Sequence, residues 1–322
     1  MDLVIVFDPV GVMDYGQREI VYDFADESIA SPPEPAQAIR NRMSLAHQEF
    51  AAGRIIVMSA PNGARLGAAD HPAIPITPGQ LAGTAQSLLD ETVAVLHLHV
   101  RDSAGEHTLD VAAYRDAIDA IRAQVGDALI VQVTTEAVGR YDTAEQMAVV
   151  RELKPEAVSL GLRELCPDDA AEKPAGAFFA WLRGEKIWPQ YILYSPEDVA
   201  RFDRMRRAGV FAEERPFCLF VLGRYTEQLA GDVAELHAML AAADCREFPW
   251  AACCFGPQEN LAMQVAAAHG GHVRIGFENN LRLADGSIAA DNAALIAQFT
   301  GSLGMRRAAT ADEIRQALFA CG

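Results

Sequence analysis

Positive charge is scarce in this sequence: 27 Lys and Arg face 44 Asp and Glu, which leaves a net charge of −17. Phosphate backbones and anionic lipid surfaces attract basic patches, so no nucleic-acid or membrane partner is expected, and an anionic substrate must be met by local cationic groups. No uncharged run reaches the ~20 residues that span a bilayer. The start, Met1 to Gly11, carries Asp2 and Asp8 and has neither a basic leader nor a small-residue cleavage motif, so it does not read as a signal peptide. Paired cysteines are missing as well. Cys166, Cys218, Cys245, Cys253, Cys254 and Cys321 show no CxxC spacing and read as small core residues or surface thiols of a reducing cytoplasm. Joint metal ligation by Cys253 and Cys254 is disfavoured, because neighbours on a strand face opposite ways. Neither GxGxxG nor GxxxxGK[ST] follows any strand-like run, which removes dinucleotide and P-loop sites.

What is there is apolar substance: 51% of the 322 residues are hydrophobic and 22% charged, a globular composition with material for one large core. From Arg54 onward, short β-rich runs alternate with longer amphipathic segments, the pattern of repeated βα units. The runs are Arg54 to Ala60, Val93 to Val100, Ala128 to Thr135, Ala157 to Leu162, Ile187 to Ser195, Pro216 to Gly223, Phe248 to Phe255 and His272 to Phe277. Their near-continuous hydrophobicity suits strands covered on both faces. Helix starts fall between them, at Thr77-Pro78 with Gln80, at Ser195-Pro196 with Asp198, and at Thr310 with Glu313. Two stripes at helical spacing, Leu81, Ala85, Leu88 and Leu89, then Leu229, Val233, Leu236 and Leu240, read as core-facing. Eight strands with eight crossovers predict a (β/α)8 TIM barrel rather than an open doubly wound sheet. Residues 1–52 precede the repeat and read as an N-terminal extension. In it a linker, Ser31 to Pro35, leads into a helix from Ala36 to Ala52, an arm that packs on the barrel or on a neighbouring subunit. Residues 53–322 make the barrel and end in a closing helix from Thr310 to Cys321.

The second run ends His97-Leu98-His99-Val100-Arg101-Asp102. Residues i and i+2 of a strand share a face, so both imidazoles converge at the carboxyl end of the barrel, where active sites of this fold sit. Two neutral imidazoles and one carboxylate are a catalytic zinc set that leaves a coordination position open. A pair of hydrogen-bonded core histidines is the plainer alternative. The third ligand is expected from the end of the eighth run, Glu278, because strands two and eight both flank strand one in a closed barrel. A salt bridge from Glu278 to Arg274 or Arg101 is its alternative.

At these motifs the chain resembles the β-keto acid cleavage enzymes, typified by the 3-keto-5-aminohexanoate cleavage enzyme. The matching pieces are DHPAIPITP (70–78), HLHVRD (97–102), FVLG (220–223) and GGHVRIGFENN (270–280), in the family's order and spacing across roughly residues 54 to 320. The resemblance implies a (β/α)8 homotetramer with zinc on His97, His99 and Glu278. It implies condensation of a β-keto acid with the co-substrate acetyl-CoA, then cleavage to acetoacetate and a new acyl-CoA. Zinc polarises the keto carbonyl, a base takes the proton, and Arg274 stabilises carboxylate or enolate charge through its planar fork.

The sequence also departs from the family. Asn279 stands where members carry an Asp that acts as base, and an amide accepts no proton at neutral pH. Glu136, at the end of the third strand where the family has a glycine, is the candidate replacement, with a solvent-exposed loop glutamate as the alternative reading. Thr134 keeps the family's orienting hydroxyl, and Ser159 matches a hydroxyl after strand four. In the first loop, Asn62-Gly63-Ala64-Arg65 puts an arginine where amino-substrate members have an acid. If it lines the pocket rather than the surface, Arg65 favours a carboxylate or phosphate tail and repels an amine. A second amine-binding position, on strand five, is Ile192. Asn62, Arg65 and Ser159 are thus the substrate-binding candidates, for a β-keto acid without an amino group. Two rivals stand beside this reading: a zinc aldolase or decarboxylase that needs no CoA, and a metal-binding barrel that has lost catalysis.

Overall fold

Strand one of the barrel is only three residues long, Val57–Ser59, yet it closes the sheet, pairing in parallel with both strand two and strand eight. The computed structural model describes residues 53–319 except Glu214, Glu227 and Met305, together with a separate antiparallel ribbon, Val12–Tyr15 with Arg18–Val21. The linker and helix expected between Ser31 and Ala52 lie outside the described residues, as does Cys321. By its contacts the chain divides into Met1–Ala46 and His47–Gly322.

The remaining barrel strands are Val95–Leu98, Ile130–Thr134, Ala157–Gly161, Trp188–Leu193, Phe217–Leu222, Trp250–Cys254 and His272–Ile275, one inside each predicted run. Each pairs in parallel with the next, and helices cover the outside. Alternation divides seven of the eight strands between two apolar clusters, and strand eight puts His272 and Arg274 inside instead. Met58, Val95, Ile130, Ile192, Leu219, Val221 and Cys253 fill the barrel, while Leu96, Leu98, Val131, Val133, Phe220 and Cys254 pack under the helices. Cys253 and Cys254 therefore face apart. At the amino end the plug is aromatic: Trp188 meets Phe217 at 5.2 Å, and Phe217 stacks on His272 at 5.6 Å.

The expected caps close the helices. Thr77 and Gln80 form a reciprocal capping box on Pro78–Leu89, Ser195 accepts from the Asp198 N–H, and Thr310 and Glu313 exchange two hydrogen bonds before Ala311–Phe319. One stripe needs correction. The helix after strand six spans Val233–Ala241, capped by Asp232. Leu229 precedes it, 43% exposed with φ +47°, and Met239 joins Leu236 as the buried face. The cap decides this boundary, because an Asp side chain that satisfies the Glu235 N–H starts the helix where it stands. Among the described residues no helix is long and apolar enough to cross a membrane.

Candidate active site

Alternation along strand two turns His97 and His99 into the barrel, both 1% exposed. Their Nε2 atoms lie 3.2 Å apart, and Glu278 Oε2 stands 3.4 Å from each. His97 Nδ1 is 2.9 Å from Gln132 Oε1; an amide oxygen only accepts, so Nδ1 carries the proton and Nε2 presents its lone pair inward. Glu278 divides its oxygens. Oε1 accepts from Arg274 Nη2 at 2.9 Å, whereas Oε2 is buried without a hydrogen-bond partner. The salt-bridge and ligand readings of Glu278 are thus compatible, one oxygen for each. Lone-pair atoms of three residues, all within 4.8 Å of one another, converge on one buried point, and that donor set fits a divalent cation.

Local backbone puts Glu278 there. Gly276 lies so close to strand one that a Cβ would sit 2.3 Å from Ala60 O, and the approach lets the Glu278 N–H donate to that same oxygen at 3.0 Å. Gly63, at φ +60°, leaves room for the Glu278 side chain, since a Cβ there would fall 2.6 Å from its Cγ. Asn292 ties the Phe277 N–H to Pro61 O, and His71 packs its ring on Phe277 at 4.6 Å. Asn62 does not face substrate space. It is fully buried, clasps the backbone N–H and carbonyl of His99, and donates to Pro75 O. Arg101 donates to the carbonyls of Gly63 and Leu66 and so braces the same loop.

Electrostatics keep the ligand atoms in ligating form. Burial pushes the Glu278 carboxyl up, but the Arg274 guanidinium bonded to Oε1 outweighs it and holds it well below the usual range. Burial, assisted by Arg274, lowers His97, which keeps the imidazole neutral.

Around this point opens a narrow pocket lined by the triad, Arg274, Thr134, Glu136, Ile192, Tyr194, Val221, Arg224 and Phe255. Glu136 is part-buried rather than a free loop residue. Its Oε1 accepts from Arg224 Nη2 at 2.9 Å, and its Oε2 lies 3.9 Å from His99 Nδ1. Burial raises its carboxyl, yet His99 and Arg224 hold it below the ordinary value, ionised at neutral pH. The Glu136 N–H donates to Thr134 Oγ1 at 3.1 Å.

Three further predicted residues, besides Asn62, are not brought into this wall. Arg65 is exposed on the first loop. Ser159 is buried one layer down, beside Gln190 in register, because its strand position points below the mouth. Asn279 turns behind strand eight, where its Nδ2 donates to Glu259 Oε1 and Arg274 O. Conversely, sequence reasoning passed over Arg224, Tyr194, Gln132 and Glu259. Arg224 and Tyr194 follow strand ends, the one positional signal they carried; Gln132 and Glu259 act through partners far off in sequence. Arg163, just after strand four, bonds Asp198 and Ser195 at the start of Pro196–Arg207.

Residues 54–319 match the family described as beta-keto acid cleavage enzyme. The chain belongs to this family. It is 28% identical over 273 residues to a 3-keto-5-aminohexanoate cleavage enzyme of Fusobacterium nucleatum, covering 82% of this chain and 97% of that one. A 3-oxoadipate:acetyl-CoA acetyltransferase of Cupriavidus necator is 23% identical, covering 71% and 81% of the two chains. Among solved structures, a ternary complex of ObcA with C4-CoA adduct and oxalate superposes with TM-score 0.60 at 15% identity, covering 77% of this chain and 67% of that one, which supports the barrel fold.

Proposed function

We propose that this family member is a zinc-dependent acyltransferase that condenses a β-keto acid with acetyl-CoA and releases acetoacetate and a new acyl-CoA. The observation that carries the reading is the unpartnered Glu278 Oε2 held equally far from two imidazole Nε2 atoms at the barrel mouth. In the reaction the bond between the methylene and ketone carbons of the keto acid breaks. The acyl half leaves on the CoA sulfur, and the carboxymethyl half joins the acetyl group. The acetyl-CoA-dependent relative supports the co-substrate.

His97, His99 and Glu278 would hold the zinc. When bound, it supplies Lewis acidity that polarises the ketone and favours enolisation. Glu136, ionised and lining the pocket, takes the methylene proton. The Thr134 oxygen accepts the Glu136 N–H, which leaves its own proton for a substrate oxygen. Arg274, also in the wall, spreads positive charge beside developing enolate charge while it fixes Glu278. Asn279 is bonded behind the wall and accepts no proton, so the transfer falls to Glu136. Ile192 and Arg224 in the wall speak against an ammonium-tailed substrate. The proposal extends, on the resemblance to the family, to a catalytic barrel over 53–322 with 1–52 as an arm, and to a cytoplasmic homotetramer.

Metal analysis combined with an acetoacetate assay over a panel of β-keto acids tests this. Stoichiometric zinc with acetyl-CoA-dependent acetoacetate is the expected result. Loss of keto acid without acetyl-CoA would replace the reaction with an aldolase or decarboxylase, and zinc without turnover would leave a binding barrel. Glu136→Gln should abolish turnover; an unchanged rate removes it as base. Asn279→Asp should not raise the rate, because that side chain lies behind the wall, where a new carboxylate would meet Glu259.

A further inference from the structure

We infer that Arg224 is the specificity residue of this pocket and that it selects a β-keto acid bearing a second carboxylate at its far end. The inference rests on the β-keto acid reading above and names the substrate class. Strand six, after which Arg224 lies, stands diametrically opposite strand two in the eight-stranded order, so a molecule whose head meets His97 and His99 extends its tail toward Arg224. The guanidinium is oriented before anything binds. Its carbon lies 5.6 Å from the centre of the Phe255 ring and 5.9 Å from that of Tyr225, and its Nη2 donates to Glu136.

Glu136 takes one hydrogen of Nη2, and Nε and Nη1 have no acceptor among the described residues. One edge of the fork therefore keeps two parallel N–H groups, the pattern that a carboxylate meets with both oxygens. Arg274, the other arginine of the wall, sends Nη2 to Glu278 and Cys253 and stands beside the triad, where it meets the head of the molecule rather than its tail. The neighbouring walls, Ile192, Val221 and Phe255, offer no competing acceptor side chain. An uncharged tail would leave the free N–H groups unmet, and an ammonium tail would face a like charge. Charge balance agrees. Arg224 and Arg274 cancel Glu136 and Glu278, so a divalent ion on the triad leaves two positive charges, which a dicarboxylate neutralises and a monocarboxylate does not. Arg65, the arginine that sequence alone suggests for this role, is exposed on the first loop.

The test measures binding by calorimetry and kcat/KM for three probes on the zinc-loaded protein: 3-oxoadipate, an uncharged-tail 3-oxo acid of equal length, and 3-keto-5-aminohexanoate. The native protein should favour 3-oxoadipate in both readouts. Arg224→Met should lower the ratio of dicarboxylate to uncharged acid by about 10- to 100-fold, the worth of a charged hydrogen bond, while Arg224→Lys should keep part of it. Taking the ratio cancels any common effect through Glu136. A native preference for either other probe, a ratio unmoved by Arg224→Met, or no binding of 3-oxoadipate would each overturn the assignment. If 3-oxoadipate binds in an Arg224-dependent way but no probe turns over, the reaction proposed above fails and the specificity assignment stands.

Discussion

Glu278 shows how one carboxylate serves two partners: the oxygen on Arg274 fixes the side chain, which frees the other to face two imidazoles. The same economy holds at His97, whose Nδ1 is bound to Gln132 so that Nε2 points inward. Gln132→Met keeps volume and removes the acceptor, and zinc affinity measured by chelator competition should fall about 10- to 100-fold. Unchanged affinity would deny Gln132 that role. Behind the strand-eight loop, Glu259 is buried with only N–H partners from Gly276, Asn279 and Asn280, and burial pushes its carboxyl up to about 8. Glu164, half-buried near Glu136, is pushed up by partial burial to about 7. Both lie above the ordinary value of 4.5, so the folded state holds protons that the unfolded chain releases. Their contribution to stability is complete below about pH 4.5 and is lost as pH rises through about 7 and 8. The metal-free protein should therefore melt lower at pH 8.5 than at pH 5.5, and Glu259→Gln should gain more at the higher pH. Equal gains at both pH values would contradict the assignment.

At the scale of elements, the site is built by strand ends and by the loops that lean on them. Gly276 and Gly63 act only through absence of a side chain, since a Cβ at either would strike Ala60 or Glu278. Gly276→Ala should cost roughly 1–3 kcal/mol in denaturant unfolding and weaken zinc binding as well, because the displaced loop carries Glu278. A stability loss with intact zinc affinity would confine the glycine to folding. The Thr77–Gln80 capping box lies outside the pocket, and Thr77→Ala should cost about 1 kcal/mol with kcat/KM unchanged.

For the whole molecule, a ligand set drawn from strands two and eight exists only once strand one has joined them. A bound ion therefore adds to global stability: zinc at 100 times its Kd should raise unfolding free energy by about 2.7 kcal/mol, read as a higher Tm than in chelator. A Tm indifferent to zinc would argue against a site preformed in the native state. The barrel itself was legible in sequence, since eight apolar runs and their caps mark positions set by local physics, burial on both faces and satisfaction of helix N–H groups. The Leu229 stripe misled because spacing alone ignores the cap at Asp232 that starts the helix after it.

From sequence alone came the periodicity that makes strands and helices, the His97–His99 pairing on one strand face, and Glu278 at a strand end. Tertiary structure alone decided which polar groups share the pocket. Arg65 and Arg224 are equally charged in sequence, but one sits on an exposed loop and the other is pinned against Phe255 and Glu136 across the barrel from the triad. Asn279 likewise turned to Glu259, a partner 20 residues away. Backbone preference is a local quantity and is written along the chain; an electrostatic partnership depends on distance through space, which the closing of the barrel creates.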